Sequence, residues 1–321
     1  MPTERYDSKA DWLEGRRKGI GGSDVATLAG YGSTRSSTPS RVFLSKVMPP
    51  DDENRSAIMV MGSHSEVAHV SLLTGEFGMV INANRPYDIQ VHDEHDWMRS
   101  TLDGWVYEGP RPPSGDKPAA ILELKNFANR DEKGLPFVEF GSVRVVNGTT
   151  TEWDDEPANE WERQARRAWF SAYLQCQWNM LVTGLDRAIL SVWARTSVYV
   201  YDVWADVDDQ QMLFKVASAF WHEHVLTEDP PPVTPEDSGV GVASKLWAPH
   251  DSVVELSEEK DWAALYAAHV TLKKEAAGLK GGADGIKEML KRELKGAKGG
   301  TQKGVRYYVN GSGVMSRRKE S

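Results

Sequence analysis

The chain has 321 residues, 40% of them hydrophobic and 26% charged, with a formal net charge of −9. Such a composition is that of a soluble globular protein and excludes disordered and fibrous classes; the length points to one large domain with appendages or to two domains. No apolar run approaches the roughly 18 residues of a membrane span, and the first residues are polar, so neither a membrane anchor nor a secretory signal is expected and the expected location is cytoplasmic.

The charge is unevenly spread. From Lys273 to Ser321 there are 13 Lys and Arg against 5 Asp and Glu, a local +8, while the first 272 residues carry 25 against 42, or −17. A basic tail suits phosphate contact, and an acidic body is compatible with a site that collects divalent cations. A solvated helix face with a charged tail accounts equally well for the pattern.

In chain order, the first forty-odd residues read as short helices broken by glycine. Lys18-Gly19-Ile20-Gly21-Gly22-Ser23-Asp24 precedes an apolar helix start, with Ser23 or Asp24 as N-cap. A glycine-rich turn of this kind offers backbone N–H groups to an anion, with Arg16, Arg17 and Lys18 just before it; an ordinary turn and cap is the plainer alternative. A helix follows over about Ser56 to Thr74, closed by Gly75, and carries Glu66 among small neighbours.

Short β runs come next: Met79 to Ile81, Ile89 to Val91, Met98 to Val106 and Ala119 to Asn126, with a Pro/Gly loop before the last. On a strand side chains alternate, so in Ile121-Leu122-Glu123-Leu124-Lys125-Asn126 the Glu123 and Lys125 side chains share one face. Asp103 lies on the neighbouring strand, next to Gly104, whose missing side chain lets the backbone pass close to a ligand. Two carboxylates and a lysine thus meet across a hairpin, a spacing suited to metal-dependent phosphodiester hydrolysis.

Residues 131 to 156 form a long polar stretch, read as a substrate-channel loop or as disordered. A long helix over about Ala158 to Thr183 is closed by Gly184 and holds Trp161, Trp169 and Trp178, expected in the core. The single cysteine, Cys176, lies in this helix; it excludes an internal disulfide or a four-cysteine cluster and is expected to be buried. Strands over Ala188 to Ala194 and Val198 to Ala205 and a helix over Gln210 to Leu226 complete the body. Pro230-Pro231-Pro232 marks the best boundary, giving a domain over 1–229, a linker over 230–257 and a helical, basic extension over 258–321. Helices around Glu258 to Leu279 and Asp284 to Leu294 and a strand over Val305 to Val309 are expected there. The histidines at 92 and 95 read as an exposed hairpin, and His222 and His224 as surface. The element order indicates mixed α+β or α/β.

Five motifs in order carry a family resemblance: Gly19-Ile20-Gly21-Gly22-Ser23-Asp24, Gly62-Ser63-His64-Ser65-Glu66, Leu102-Asp103-Gly104, Leu122-Glu123-Leu124-Lys125 and Tyr173-Leu174-Gln175-Cys176-Gln177-Trp178-Asn179-Met180. Over roughly residues 12 to 226 the chain resembles the YqaJ-type viral recombinases, phage exonucleases related to lambda exonuclease within the PD-(D/E)XK nuclease superfamily. The resemblance implies a restriction-endonuclease-like core, a central mixed sheet flanked by helices, and an exonuclease that degrades linear double-stranded DNA from the 5′ end, leaving 3′ single strands for recombination. Asp103, Glu123 and the Leu124 carbonyl would bind Mg²⁺ or Mn²⁺, with Glu66 at or near a second metal position. Lys125 would orient and help deprotonate the attacking water, Gln175 would position the water or phosphate, and Arg17 and Ser23 would bind the 5′-phosphate of the DNA. It also implies a single-strand annealing protein as partner, a ring-shaped homo-oligomer, and the host cytoplasm as location for a phage-encoded chain. Asn126 stands where the family more often has threonine, serine or cysteine. The alternatives are an endonuclease of the same superfamily and a non-catalytic DNA-binding or annealing module.

Overall fold

Valine, isoleucine and tyrosine crowd two runs that pair as neighbouring strands, β8 (Arg187–Ala194) and β9 (Ser197–Trp204), as β-branched and aromatic residues favour. The computed structural model describes residues 2–32, 37–50, 57–109, 117–127, 144–147, 160–194, 197–232 and 237, and beyond these 268, 270–272, 274–276, 300–302, 305–309 and 315–319. It divides into two compact units, Met1–Pro249 and His250–Ser321.

In the first unit a six-stranded mixed sheet has the order β2 (Val80–Ala83), β5 (Gly104–Tyr107), β6 (Ala120–Asn126), β8, β9, β7 (Arg144–Asn147). β6 and β8 are parallel, and the connection between them contains the long helix α5 (Glu160–Thr183), since parallel neighbours need a crossover. The alternation expected for β6 is present, and both faces are covered. Ile121 joins Ala188, Leu190, Val192 and Tyr201 against Trp169, Leu174 and Trp178 of α5. Leu122 and Leu124 join Ile189, Val198 and Val200 against Leu73 of α4 (Ala57–Phe77). Trp169 and Trp178 are fully buried, the core role expected of them; burying a large apolar side chain is worth roughly 1.5–3 kcal/mol. Trp161 lies outside the residues whose side chains are described.

The mixed α+β class, a central mixed sheet flanked by helices, is as expected, but several boundaries differ. α4 runs through Gly75 and ends before Gly78, whose φ of 63° supplies the left-handed turn that Gly75 was expected to make. The run from Met98 to Val106 is two strands: β4 (Arg99–Ser100) belongs to a separate antiparallel sheet of order β1 (Thr3–Arg5), β3 (Asp88–Val91), β4, while β5 starts after Asp103. The stretch expected to be a loop or disordered contains β7, which pairs in parallel with β9 at the sheet edge; the rest of 131–156 lies outside the described residues.

The N-terminal region holds α1 (Lys9–Arg17), α2 (Gly22–Ala26), which runs on into a π-helical turn, and α3 (Pro39–Val47). α2 starts earlier than expected, with Gly21 as N-cap: the Gly21 N–H donates to Oδ2 of Asp24 at 3.0 Å. α6 (Val207–Phe220) continues through a π turn at Trp221–Val225. The first unit extends past the proline run: buried Asp237 accepts from Oγ1 of Thr38, the N-cap of α3, at 2.6 Å and from Oγ of Ser40 at 2.9 Å.

The second unit contains an antiparallel sheet of order β10 (Gly300–Gln302), β11 (Val305–Val309), β12 (Met315–Lys319). The strand expected from Val305 to Val309 is its centre. The helices expected at 258–279 and 284–294 fall outside the described residues except for helical positions 268, 270–272 and 274–276. Among the described residues no helix is long and apolar enough to cross a membrane.

Candidate active site

Glu123 and Lys125 leave β6 on the face that α5 covers, as the alternation with Ile121 requires. Glu123 is buried, and its Oε1 lies 2.5 Å from Nζ of Lys125. Gln175, two-thirds of the way along α5, accepts from the same Nζ through Oε1 at 2.8 Å. One helical turn further, Nδ2 of Asn179 donates to Oε2 of Glu123 at 3.1 Å, and Oδ1 of Asn179 accepts from Oγ of Ser100 at 2.7 Å. Asn179 belongs to a motif noted in the sequence but was given no role there; its spacing of four from Gln175 places both on one helix face, which is the signal that identifies it.

Asp103 sits just before β5, opposite the end of β6, and its Oδ2 accepts from the Leu124 N–H at 2.6 Å. On a strand the N–H and C=O of one residue point to the same side, so the Leu124 carbonyl is directed toward the Asp103 edge as well. The crowding at Gly104 comes from β2 rather than from a ligand: a Cβ there would lie 3.0 Å from the Asn82 carbonyl oxygen.

The electrostatics tie these groups together. Burial, and then the charge of Glu123, push the Asp103 carboxyl up to about 8, against the opposing pull of Lys125 and the Leu124 N–H. Burial disfavours the Lys125 ammonium, but Glu123 and Asp103 outweigh it and raise its pKa. Glu66, on α4, is exposed, yet desolvation and the charge of Glu123 raise its carboxyl against the pull of Lys125. Glu66 therefore shares the electrostatic neighbourhood of Asp103, Glu123 and Lys125. Cys176 is buried as expected, and burial together with Glu123 raises its thiol well above the usual range.

Asp103 and Glu123 with a backbone carbonyl form a hard-oxygen set, and a partly buried carboxyl raised to about 8 is one whose charge a cation would stabilise. Among the described residues no three His, Cys, Asp or Glu side chains stand close enough together to chelate an ion. Two carboxylates and a carbonyl are a donor set that a hard divalent cation accepts, since such an ion can take one or two carboxylates and keep several waters.

Beside this cluster a cavity of about 230 Å³ is lined by Arg16, Gly22, Ser23, Arg99, Ser100 and Gln175. Ser23 lines this cavity, and the arginine beside it is Arg16. Its Nη2 makes a long 3.5 Å contact to Ser23 Oγ, and its guanidinium lies 5.0 Å from the ring centroid of Trp12. Arg17 points elsewhere: it donates to the Lys46 and Val47 carbonyls at 3.1 and 3.2 Å, capping the end of α3, and to Glu14 at 2.7 Å. The spacing of four between Trp12 and Arg16 on α1 is the signal that separates the two arginines. Arg99 is buried and engaged with Glu4 at 2.7 and 3.1 Å. Beneath the turn, Lys46 Nζ lies 2.6 Å from Asp24 Oδ2 in a buried ion pair.

The four histidines singled out in the sequence lie on other elements. His92 stacks on His95 with centroids 5.3 Å apart, and His222 and His224 lie on the π turn that follows α6.

Residues 11–135 match the family model described as a YqaJ-like viral recombinase domain. A Bacillus subtilis (strain 168) protein named "Uncharacterized protein YqaJ" is 24% identical over 302 residues, covering 91% of this chain and 80% of that protein. Among solved structures, LHK-Exo in complex with dAMP is similar at 15% identity and a TM-score of 0.45, covering 74% of this chain and 99% of that one. A second structure, an alkaline exonuclease (LHK-Exo) from Laribacter hongkongensis, gives 13% identity and a TM-score of 0.43 with the same coverage.

Proposed function

With a YqaJ-like viral recombinase domain matched over residues 11–135 as the premise, we propose that this protein is a divalent-metal-dependent exonuclease acting on linear double-stranded DNA from the 5′ end. The observation that carries the reading is the convergence of Asp103, Glu123, Lys125 and Gln175 beside the cavity that holds Arg16 and Ser23. Binding alone requires neither a lysine wedged against a buried glutamate nor a carboxyl pushed to about 8.

In this reading Asp103, Glu123 and the Leu124 carbonyl would hold Mg²⁺ or Mn²⁺, with Glu66 near a second position. The ion supplies charge stabilisation at the phosphate and a more acidic water. Lys125, kept as an ammonium by its two acidic neighbours, orients the attacking water, and Gln175 fixes the lysine and faces the phosphate. Its help in deprotonating that water requires the acidic support to weaken. Arg16 and Ser23 receive the terminal 5′-phosphate, a role assigned to Arg16 in place of Arg17 on the geometry above. The 3′ strands so produced suit a single-strand annealing protein, and a ring-shaped homo-oligomer is part of the same proposal.

The test compares linear with covalently closed circular duplex, each with Mg²⁺ and with chelator, using strands labelled at either end. The expected result is metal-dependent loss of the 5′-ended strand from linear DNA alone. Equal rates on the closed circle would favour an endonuclease, and metal-independent binding without cleavage would overturn the enzymatic reading.

A further inference from the structure

The cavity and the acidic cluster are joined by side chains that belong to both. Gln175 lines the cavity and accepts from Lys125. Ser100 lines the cavity and donates to Asn179, whose amide in turn donates to Glu123. Gly22, from the glycine-rich turn, presses on both helix residues: a Cβ there would lie 2.6 Å from Cγ of Gln175 and 2.9 Å from Oδ1 of Asn179. Ser100, Asn179 and Glu123 are all buried, exposed by 1%, 1% and 2%. Water therefore does not compete for these bonds, and each group depends on its neighbour in the chain.

From this continuity we propose that Asn179, with Ser100, is a positioning residue that couples occupancy of the cavity by a phosphorylated DNA end to the orientation of the Glu123 carboxylate. Asn179 can serve this way because its two amide ends are committed in opposite directions, the oxygen to the cavity wall and the nitrogen to the acid. An anion drawn in by Arg16 and Ser23 meets the wall formed by Gly22, Ser100 and Gln175. Any shift there is passed to Glu123 through Asn179 and to Lys125 through Gln175. Both reactive groups of β6 thus receive the signal from adjacent turns of one helix. The inference rests on the exonuclease reading above and adds to it that the end site controls the rate of the chemical step as well as affinity.

The experiment measures kcat and KM for linear duplex bearing either a 5′-phosphate or a 5′-hydroxyl, with the full chain and Mg²⁺, for the wild type, Asn179→Ala and Ser100→Ala. In the wild type the phosphorylated end is expected to be cut with the higher kcat. Asn179→Ala should lower kcat on the phosphorylated end by roughly 10- to 100-fold with KM nearly unchanged, bringing it down to the hydroxyl-end rate. Ser100→Ala removes a single hydroxyl and should reduce the ratio between the two ends in the same direction, and the double variant should go no further than Asn179→Ala. The proposal is overturned if both ends slow by the same factor in each variant, the behaviour of a merely structural role, or if the ratio stays at its wild-type value. A wild type that cuts both ends equally also overturns it while leaving the nuclease reading intact. A wild type without metal-dependent cleavage overturns the nuclease reading itself. Should Asn179→Ala fail to fold, Ser100→Ala alone decides.

Discussion

Nζ of Lys125 lies 2.5 Å from Oε1 of Glu123, two residues earlier on the same strand, and it is Gln175 of the covering helix that fixes it there from 2.8 Å. A two-residue spacing puts both side chains on one face but leaves them free to splay apart. The helix residue makes them a unit, so the lysine works on groups held by two different elements.

Removing that unit should stop the chemistry without abolishing DNA binding. Lys125→Ala is expected to lower the hydrolysis rate by roughly 100- to 10,000-fold, the range of a positioned proton-handling group. Binding of linear duplex, measured by fluorescence anisotropy with Ca²⁺ replacing Mg²⁺, should change little. Cleavage at the wild-type rate would sink the assigned role.

The two adjacent arginines should separate cleanly. Arg17→Ala leaves the Lys46 and Val47 carbonyls without their donor and is expected to destabilise the fold by roughly 1–3 kcal/mol in denaturant titration. Arg16→Ala should leave stability near the wild-type value and instead weaken the preference for a 5′-phosphorylated end. The opposite assignment of effects would return the end-binding role to Arg17.

The buried pair of Lys46 and Asp24 predicts a non-additive double mutant. Burial lowers the Lys46 pKa despite Asp24, while Lys46 and Arg16 hold Asp24 down against its own desolvation. Lys46→Met strands a buried carboxylate and should cost about 3–5 kcal/mol. Adding Asp24→Asn should recover much of that loss. Equal and additive costs by chemical denaturation would show that the pair is not coupled.

His69 predicts an acid-sensitive stability. It is buried, stacked on Trp193 with centroids 5.1 Å apart, with neither ring nitrogen hydrogen-bonded among the described residues, and burial lowers its pKa to about 4. A histidine depressed in the folded state binds fewer protons there than in the unfolded chain. Its neutral form is therefore tolerated above the unfolded value near 6.5, and stability is lost as the pH falls from there to about 4. The loss should approach about 3 kcal/mol. His69→Phe should flatten this dependence in thermal melts between pH 7 and pH 4. An unchanged slope would place the acid sensitivity elsewhere.

Local pattern was enough for the long elements and for part of the candidate site, though not for β7 or for the break between β4 and β5. Alternation over residues 120–126 put Glu123 and Lys125 on one face, the helical period over 160–183 put Gln175 and Asn179 one turn apart, and Asp103 fell in a run read as the neighbouring strand, although β5 starts only at Gly104. Each follows from the geometry of a strand or a helix, which neighbouring residues alone specify. Which face of α1 meets the cavity does not. It depends on α1 docking against the end of α3, which consumes Arg17 and turns Arg16 toward Ser23. The Asp237 contact with Thr38 and Ser40 joins positions far apart in the chain, and composition marked only the prolines between them. The charge states belong to the tertiary structure as well. The Asp103 carboxyl is pushed to about 8 by burial and by the approach of Glu123 from the next strand, so the spacing of Asp103, Glu123 and Lys125 became an electrostatic unit only when the sheet and α5 closed around it.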